Sequence, residues 1–155
     1  MAGIVCTSQL AALVMTDVCL SNGNIRLAAS VHGPMNAPPI LFLHGVTLSR
    51  DSWDEIKDRL VSRCCVWALD FRGHGHSDRA PNYDLSGYVS DAETALAAIG
   101  RPAIVVGHSL GACVAGVLAV NFQEVVQSAP AVNADVARQA VIRGGTEWTL
   151  TRMRL

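Results

Sequence analysis

The chain has 155 residues, half of them hydrophobic, with 12 Lys and Arg against 13 Asp and Glu and a formal net charge of −1. That length suits one domain with a substantial core, and near-neutral charge without a run of like charges argues against nucleic acid or a membrane surface as partner. Five cysteines (Cys6, Cys19, Cys64, Cys65, Cys113) are an odd number in no C-x-x-C or His-paired spacing. They read as reduced, mostly buried thiols of a cytoplasmic protein, with no metal and no cofactor expected.

Residues 1–15 predict a loose arm or short helix. They lack a basic n-region, and Thr7, Ser8 and Gln9 interrupt their apolar run, so neither a signal peptide nor a bilayer span is expected. Asp17 to Leu20, the turn Ser21-Asn22-Gly23-Asn24, and Ile25 to Val31 predict an antiparallel hairpin. Gly33 to Pro39 reads as a loop, with His32 in a turn. Pro39 to Leu43 is a continuous apolar run, as in a strand covered on both faces; it ends at His44-Gly45. Ser52-x-x-Glu55 matches a capping box, and Trp53, Ile56 and Leu60 recur at helical spacing to about Val61. Val66 to Leu69 is the next buried strand, ended by Asp70. Phe71 to Tyr83 is a polar, Gly-rich loop. Leu85, Tyr88, Val89, Ala92, Leu96 and Ile99 give a second helix, stopped by Gly100 and Pro102.

Ile104-Val105-Val106 then breaks into Gly107-His108-Ser109-Leu110-Gly111, followed by a small-residue helix from Ala112 to about Val120. A β-branched strand running through Gly-x-Ser-x-Gly into a helix is a nucleophile elbow. Gly107 and Gly111 keep side chains out of a crowded turn, and the Leu110 N–H at the helix start favours a developing oxyanion. His108 neighbours Ser109 on a sharp turn, so it is expected to pack or hydrogen-bond beneath the elbow instead of deprotonating Ser109. Strands alternating with helices after one hairpin predict an α/β fold: a three-layer α/β/α sandwich whose sheet is parallel apart from the hairpin. Its carboxyl rim carries His44-Gly45, Asp70 to Ser77 and Gly107 to Gly111, and ligands bind beyond such rims. Neither a dinucleotide fingerprint nor a P-loop lysine accompanies the loop from Arg72 to His76.

Leu41-Phe42-Leu43-His44-Gly45, Asp70-Phe71-Arg72-Gly73-His74-Gly75-His76-Ser77 and Gly107-His108-Ser109-Leu110-Gly111, in this order, resemble the α/β-hydrolase superfamily. The likeness is to its small esterase, lactonase and haloperoxidase-like branch, and covers roughly residues 16–122. The resemblance implies Ser109 as nucleophile of a serine esterase, forming an acyl-enzyme with an ester or lactone. It implies an oxyanion hole built from the N–H groups of Val46 and Leu110. Asp70 and the run from Arg72 to Ser77 match the family's structural loop beside the site, with His74 and His76 as structural or rim residues.

The chain departs from that pattern after the elbow. The family's triad runs Ser, then Asp or Glu, then His, whereas no histidine follows His108 and the later acids are Glu124, Asp135 and Glu147. Asp135 is expected in the first turn of a helix through Val136, Ala137, Ala140 and Val141 to Gly144-Gly145. The chain therefore divides into an arm (1–15), an incomplete hydrolase domain (16–126) and a divergent tail (127–155), an ending that would suit a truncated gene, a frameshift or a splice form. Two functional expectations stand together: a serine hydrolase impaired for want of a base, or a non-catalytic binding or self-association module. If the tail leaves the elbow strand as a sheet edge, a homodimer through that edge is expected.

Overall fold

The computed structural model describes residues 13–122, 124, 126–133, 136–143 and 148–151. Strands β1 (Leu13–Asn22) and β2 (Ile25–Pro34) form the antiparallel hairpin, pairing Asn22 with Ile25 across Gly23-Asn24. Gly23 takes the positive φ (60°) that this two-residue connection demands. β2 continues past its expected end, so His32 lies in the strand, opposite Met15 and Val66, and not in a turn. β1 takes in the end of the arm expected over 1–15, the rest of which lies outside the described residues.

β3 (Pro39–Leu43) and β4 (Cys65–Leu69) are buried at every position, as continuous apolar runs in a two-sided sheet must be. β5 (Ala103–His108) lies parallel to β3, which lies parallel to β4. Period-two alternation divides the core between the two faces. Leu41, Leu43, Trp67, Leu69 and Val105 pack with residues of α2 (Leu85–Ile99) and α3 (Leu110–Asn121), while Ile40, Phe42, Val66 and Ala68 pack with Trp53 on the other face. Helical layers therefore cover both sides of the sheet, giving the α/β/α class expected. Asp84 caps α2 by accepting from the Gly87 N–H at 2.8 Å, and Gly100 ends it at φ 68°.

The segment after β3 departs from expectation. Instead of a helix capped by Ser52, a 3-10 turn spans Arg50–Trp53, capped by Ser49, and α1 (Asp54–Leu60) follows without a side-chain cap. Ser52 donates its hydroxyl to the Ser49 carbonyl at 2.7 Å, which takes it away from the capping box. Trp53 alone of the apolar set is buried deeply, stacked on Phe42 with centroids 4.7 Å apart, whereas Ile56 is 43% exposed.

Beyond α3 the sheet continues. β6 (Val126–Asn133) pairs parallel with β5, and β7 (Val136–Arg143) and β8 (Trp148–Thr151) add antiparallel strands, giving the order β1-β2-β4-β3-β5-β6-β7-β8. The sheet is thus mixed, with antiparallel pairs at both ends of a parallel centre. The helix expected over 136–141 is β7, where the β-branched residues join a ladder with β6 and β8; Asp135 itself lies outside the described residues. β5 is interior and not a sheet edge. Nor are the described thiols mostly buried: Cys19 and Cys113 are exposed, Cys64 is intermediate and Cys65 buried, all four free; Cys6 lies outside the described residues. No helix among the described residues is long and apolar enough to cross a membrane. Replacing the buried Trp53 by Ala is expected to cost about 3–5 kcal/mol of stability, and Ile56→Ala less than about 1 kcal/mol, measured by urea denaturation monitored by circular dichroism; equal losses would contradict this packing.

Candidate active site

One residue separates β5 from α3, and it is Ser109. Its φ of 51° and ψ of −110° lie outside the regions L residues favour, a strain on the order of 1–3 kcal/mol that the surroundings must hold. Glycines make the holding possible. A Cβ on Gly107 would run into the Gly111 carbonyl, and one on Gly111 into the Leu43 carbonyl, so β5, α3 and β3 meet backbone to backbone. Within that contact the Gly111 N–H donates to the His44 carbonyl at 3.1 Å, and the Ala112 N–H to the Ser109 carbonyl at 2.9 Å. Ser109 is exposed, with no hydrogen bond to its hydroxyl among the described residues.

The segment after β3 faces the elbow. A Cβ on Gly45 would stand 2.6 Å from His108 Nδ1 and 3.2 Å from Ser109 Cβ. Gly45 to Leu48 form a turn, closed by the Leu48 N–H donating to the Gly45 carbonyl at 3.2 Å, with Thr47 at φ 70°. The N–H groups of Val46 and Leu110 have no acceptor among the described residues, and both belong to segments that converge on Ser109. His108 is half-buried, and its Nδ1 is enclosed without a hydrogen-bond partner. It lies against Gly45, and through Nδ1 it makes no bond among the described residues.

The rest of the rim is braced by buried polar groups. His44 is fully buried: its Nδ1–H donates to the Gly45 carbonyl at 2.8 Å, which leaves Nε2 to accept the Phe71 N–H at 3.1 Å. Burial pushes the His44 pKa down, opposed by its bond to Gly45, so the neutral ring is the native form. The Asp70 carboxylate, also fully buried, accepts from the Arg50 N–H at 2.7 Å and the His76 N–H at 3.0 Å. It thereby ties the Gly-rich loop to the segment that carries Val46. His74 hangs its Nδ1–H on the Arg72 carbonyl at 2.9 Å with its ring 5.0 Å from that of His44, and His76 is exposed. Neither is hydrogen-bonded to Ser109 among the described residues.

Arg72 forms a two-pronged pair with Asp91, Nε to Oδ2 at 2.9 Å and Nη2 to Oδ1 at 2.8 Å, and the same carboxylate takes the Arg72 N–H and the Asn22 amide. The hydrogen bonds to Asp91 raise the Arg72 pKa further. Sequence reasoning missed both Asp91 and Arg50. Asp91 had a signal: it stands three residues after Tyr88 and beside Ala92 on the apolar stripe of α2, where an acid needs a partner. Arg50 had none, since an isolated arginine after a loop looks like any other.

A model of the α/β hydrolase fold matches residues 38–151. The chain belongs to the α/β-hydrolase family. Over 110 residues it is 33% identical to the 2-(acetamidomethylene)succinate hydrolase of Mesorhizobium japonicum, covering 70% of this chain and 40% of that protein. A serine hydrolase-like protein of Mus musculus is 34% identical over 105 residues, covering 65% of this chain and 34% of its own length. Among solved structures, a membrane phospholipase A described as a bacterial virulence factor superposes with a TM-score of 0.71 at 30% identity, covering 83% of this chain and 42% of that one. The chain therefore spans less than half the length of these relatives.

The lowered pKa of His44 carries a sign for stability. The unfolded chain binds a proton that the folded rim rejects, so the contribution is complete above the unfolded value of about 6.5 and is lost as pH falls below it toward the folded value. His32, also lowered mainly by burial, acts in the same direction. Urea denaturation at pH 7.5 and pH 5.5 is expected to give the lower stability at pH 5.5, with His32→Gln retaining most of the difference; a flat profile would contradict a neutral His44.

Proposed function

We propose that this chain carries the acyl-transfer half of a serine hydrolase site, acting on a carboxylic ester or lactone. The observation that carries the reading is Ser109 at positive φ, exposed at a strand-to-helix turn, with two backbone N–H groups on converging segments that have no acceptor among the described residues. In this mechanism Ser109 Oγ attacks the acyl carbon, and the Val46 and Leu110 N–H groups hold the oxygen as it gains charge. Each such donor is typically worth about 2.7–4 kcal/mol to the transition state. Collapse of the tetrahedral species breaks the acyl C–O bond, and the serine proton passes by way of solvent to the departing oxygen. The acyl group stays on Ser109, with the alcohol released from an ester or kept as a tethered hydroxyl from a lactone.

Proton transfer sets the limit. The five histidines stand at 32, 44, 74, 76 and 108, and no imidazole is bonded to the Ser109 hydroxyl among the described residues. Loss of the base from a serine triad costs on the order of a million-fold in turnover, while oxyanion stabilisation and binding alone retain about a thousand-fold over water. The proposal for this chain is therefore acylation by activated esters with poor turnover. A hydrolase-like module that binds without reacting is the second reading, favoured by the same lack of a base.

Incubation with p-nitrophenyl acetate and intact-mass analysis separates the two. The expected result is a single acetyl adduct, absent from Ser109→Ala, formed with a burst and slow steady-state release. Equal, adduct-free rates for both proteins would establish the module; fast Ser109-dependent turnover would mean that a base acts which these residues do not supply.

A further inference from the structure

An open cleft of about 400 Å³ is lined by Asp17 and Cys19 of β1 and Arg26 of β2, which stand four and three strands from β5 in the sheet order (about 19 and 14 Å at ~4.8 Å per strand), together with Arg50 and His76. Its floor is unusual. Arg50 is 8% exposed, yet its guanidinium makes no aligned hydrogen bond among the described residues. Nε stands 3.5 Å from Asp70 Oδ2, and Nη1 is enclosed without a hydrogen-bond partner although Asp17 Oδ1 lies 3.2 Å away. A guanidinium has five donors in a fixed fork and no acceptor, and a buried donor left unpaired is costly. Asp70 does not complete the pairing: its oxygens take the Arg50 and His76 N–H groups, and the nearer of them to the guanidinium stands 3.5 Å from Nε.

We propose that this cleft binds a small oxyanion, a carboxylate or phosphate group, on the Arg50 guanidinium. The fork geometry suits two oxygens of one planar or tetrahedral anion. Arg26 on the cleft wall adds positive charge, although it is also paired with Asp78 at 3.2 Å. Asp17 is the built-in competitor: its side chain is 74% exposed, so it can leave Nη1 for solvent without structural cost when a better-aligned anion arrives. The site is separate from Ser109 and does not depend on the hydrolase chemistry.

The test follows the Arg50 Nε–Hε signal of the full chain by NMR during titration with sodium acetate, inorganic phosphate or chloride at constant ionic strength. Saturable shifts with acetate or phosphate and none with chloride are expected, the tighter of the two naming the group the cleft prefers. Asp17→Asn, on an exposed position, is expected to tighten binding roughly two- to fivefold, the scale of an exposed ion pair. Shifts that never saturate, that chloride reproduces, or that Asp17→Asn leaves unchanged would reduce the cleft to an adventitious ion site and overturn the proposal. Because Arg50→Gln removes the Asp70 partner and threatens folding, the Asp17 variant is the decisive one.

Discussion

Backbone contact between three segments governs this molecule. β3, β5 and the start of α3 approach so closely that only hydrogen fits at Gly107 and Gly111, and the Gly111 N–H reaches across to the His44 carbonyl. That contact leaves Ser109 a single residue in which to turn from strand to helix. Positive φ at a residue with a side chain is the consequence, and an exposed hydroxyl at the helix start is the result. The strain is small beside the burial of the central strands, which is why a core of this kind can hold it.

Around the elbow, His44, Asp70 and the Arg72–Asp91 pair are buried with more than one partner each, whereas His108 Nδ1 is enclosed with none among the described residues. His44 joins the ends of β3 and β4, Asp70 joins the Gly-rich loop to the segment carrying Val46, and the Arg72–Asp91 pair joins that loop to α2 and the hairpin. Removing one partner of such a buried pair typically costs about 3–5 kcal/mol. These bonds leave the backbone N–H groups near Ser109 free, since the rim is held from beneath and not across the site. Arg50 is a buried cation whose Nη1 has no aligned hydrogen bond among the described residues.

Much of this was legible in the residues. β3 and β4 announced themselves as unbroken apolar runs, Gly23 and Gly100 marked a hairpin turn and a helix stop, and the elbow required its own glycines. What was not legible depended on tertiary contact. Ser52 and Glu55 fit a capping box, but Ser49 captured the turn because Trp53 had to reach Phe42. Val136 to Val141 carries a pattern compatible with either helix or strand, and the ladder with β6 decided it. Asp91 stood out as an acid on the apolar stripe of α2, but its partner, like that of Arg50, lies 19 to 20 residues away in sequence, and no local pattern names it.

We propose that glycine packing beneath the elbow makes Ser109 reactive. The most direct test is the rate at which a fluorophosphonate labels Ser109 in the native chain and in Gly111→Ala, with hydrogen exchange at β3 and β4 showing that both remain folded. Labelling at least about tenfold slower in the variant, ~1.4 kcal/mol of barrier, is the predicted result. Equal rates in two folded proteins would contradict it.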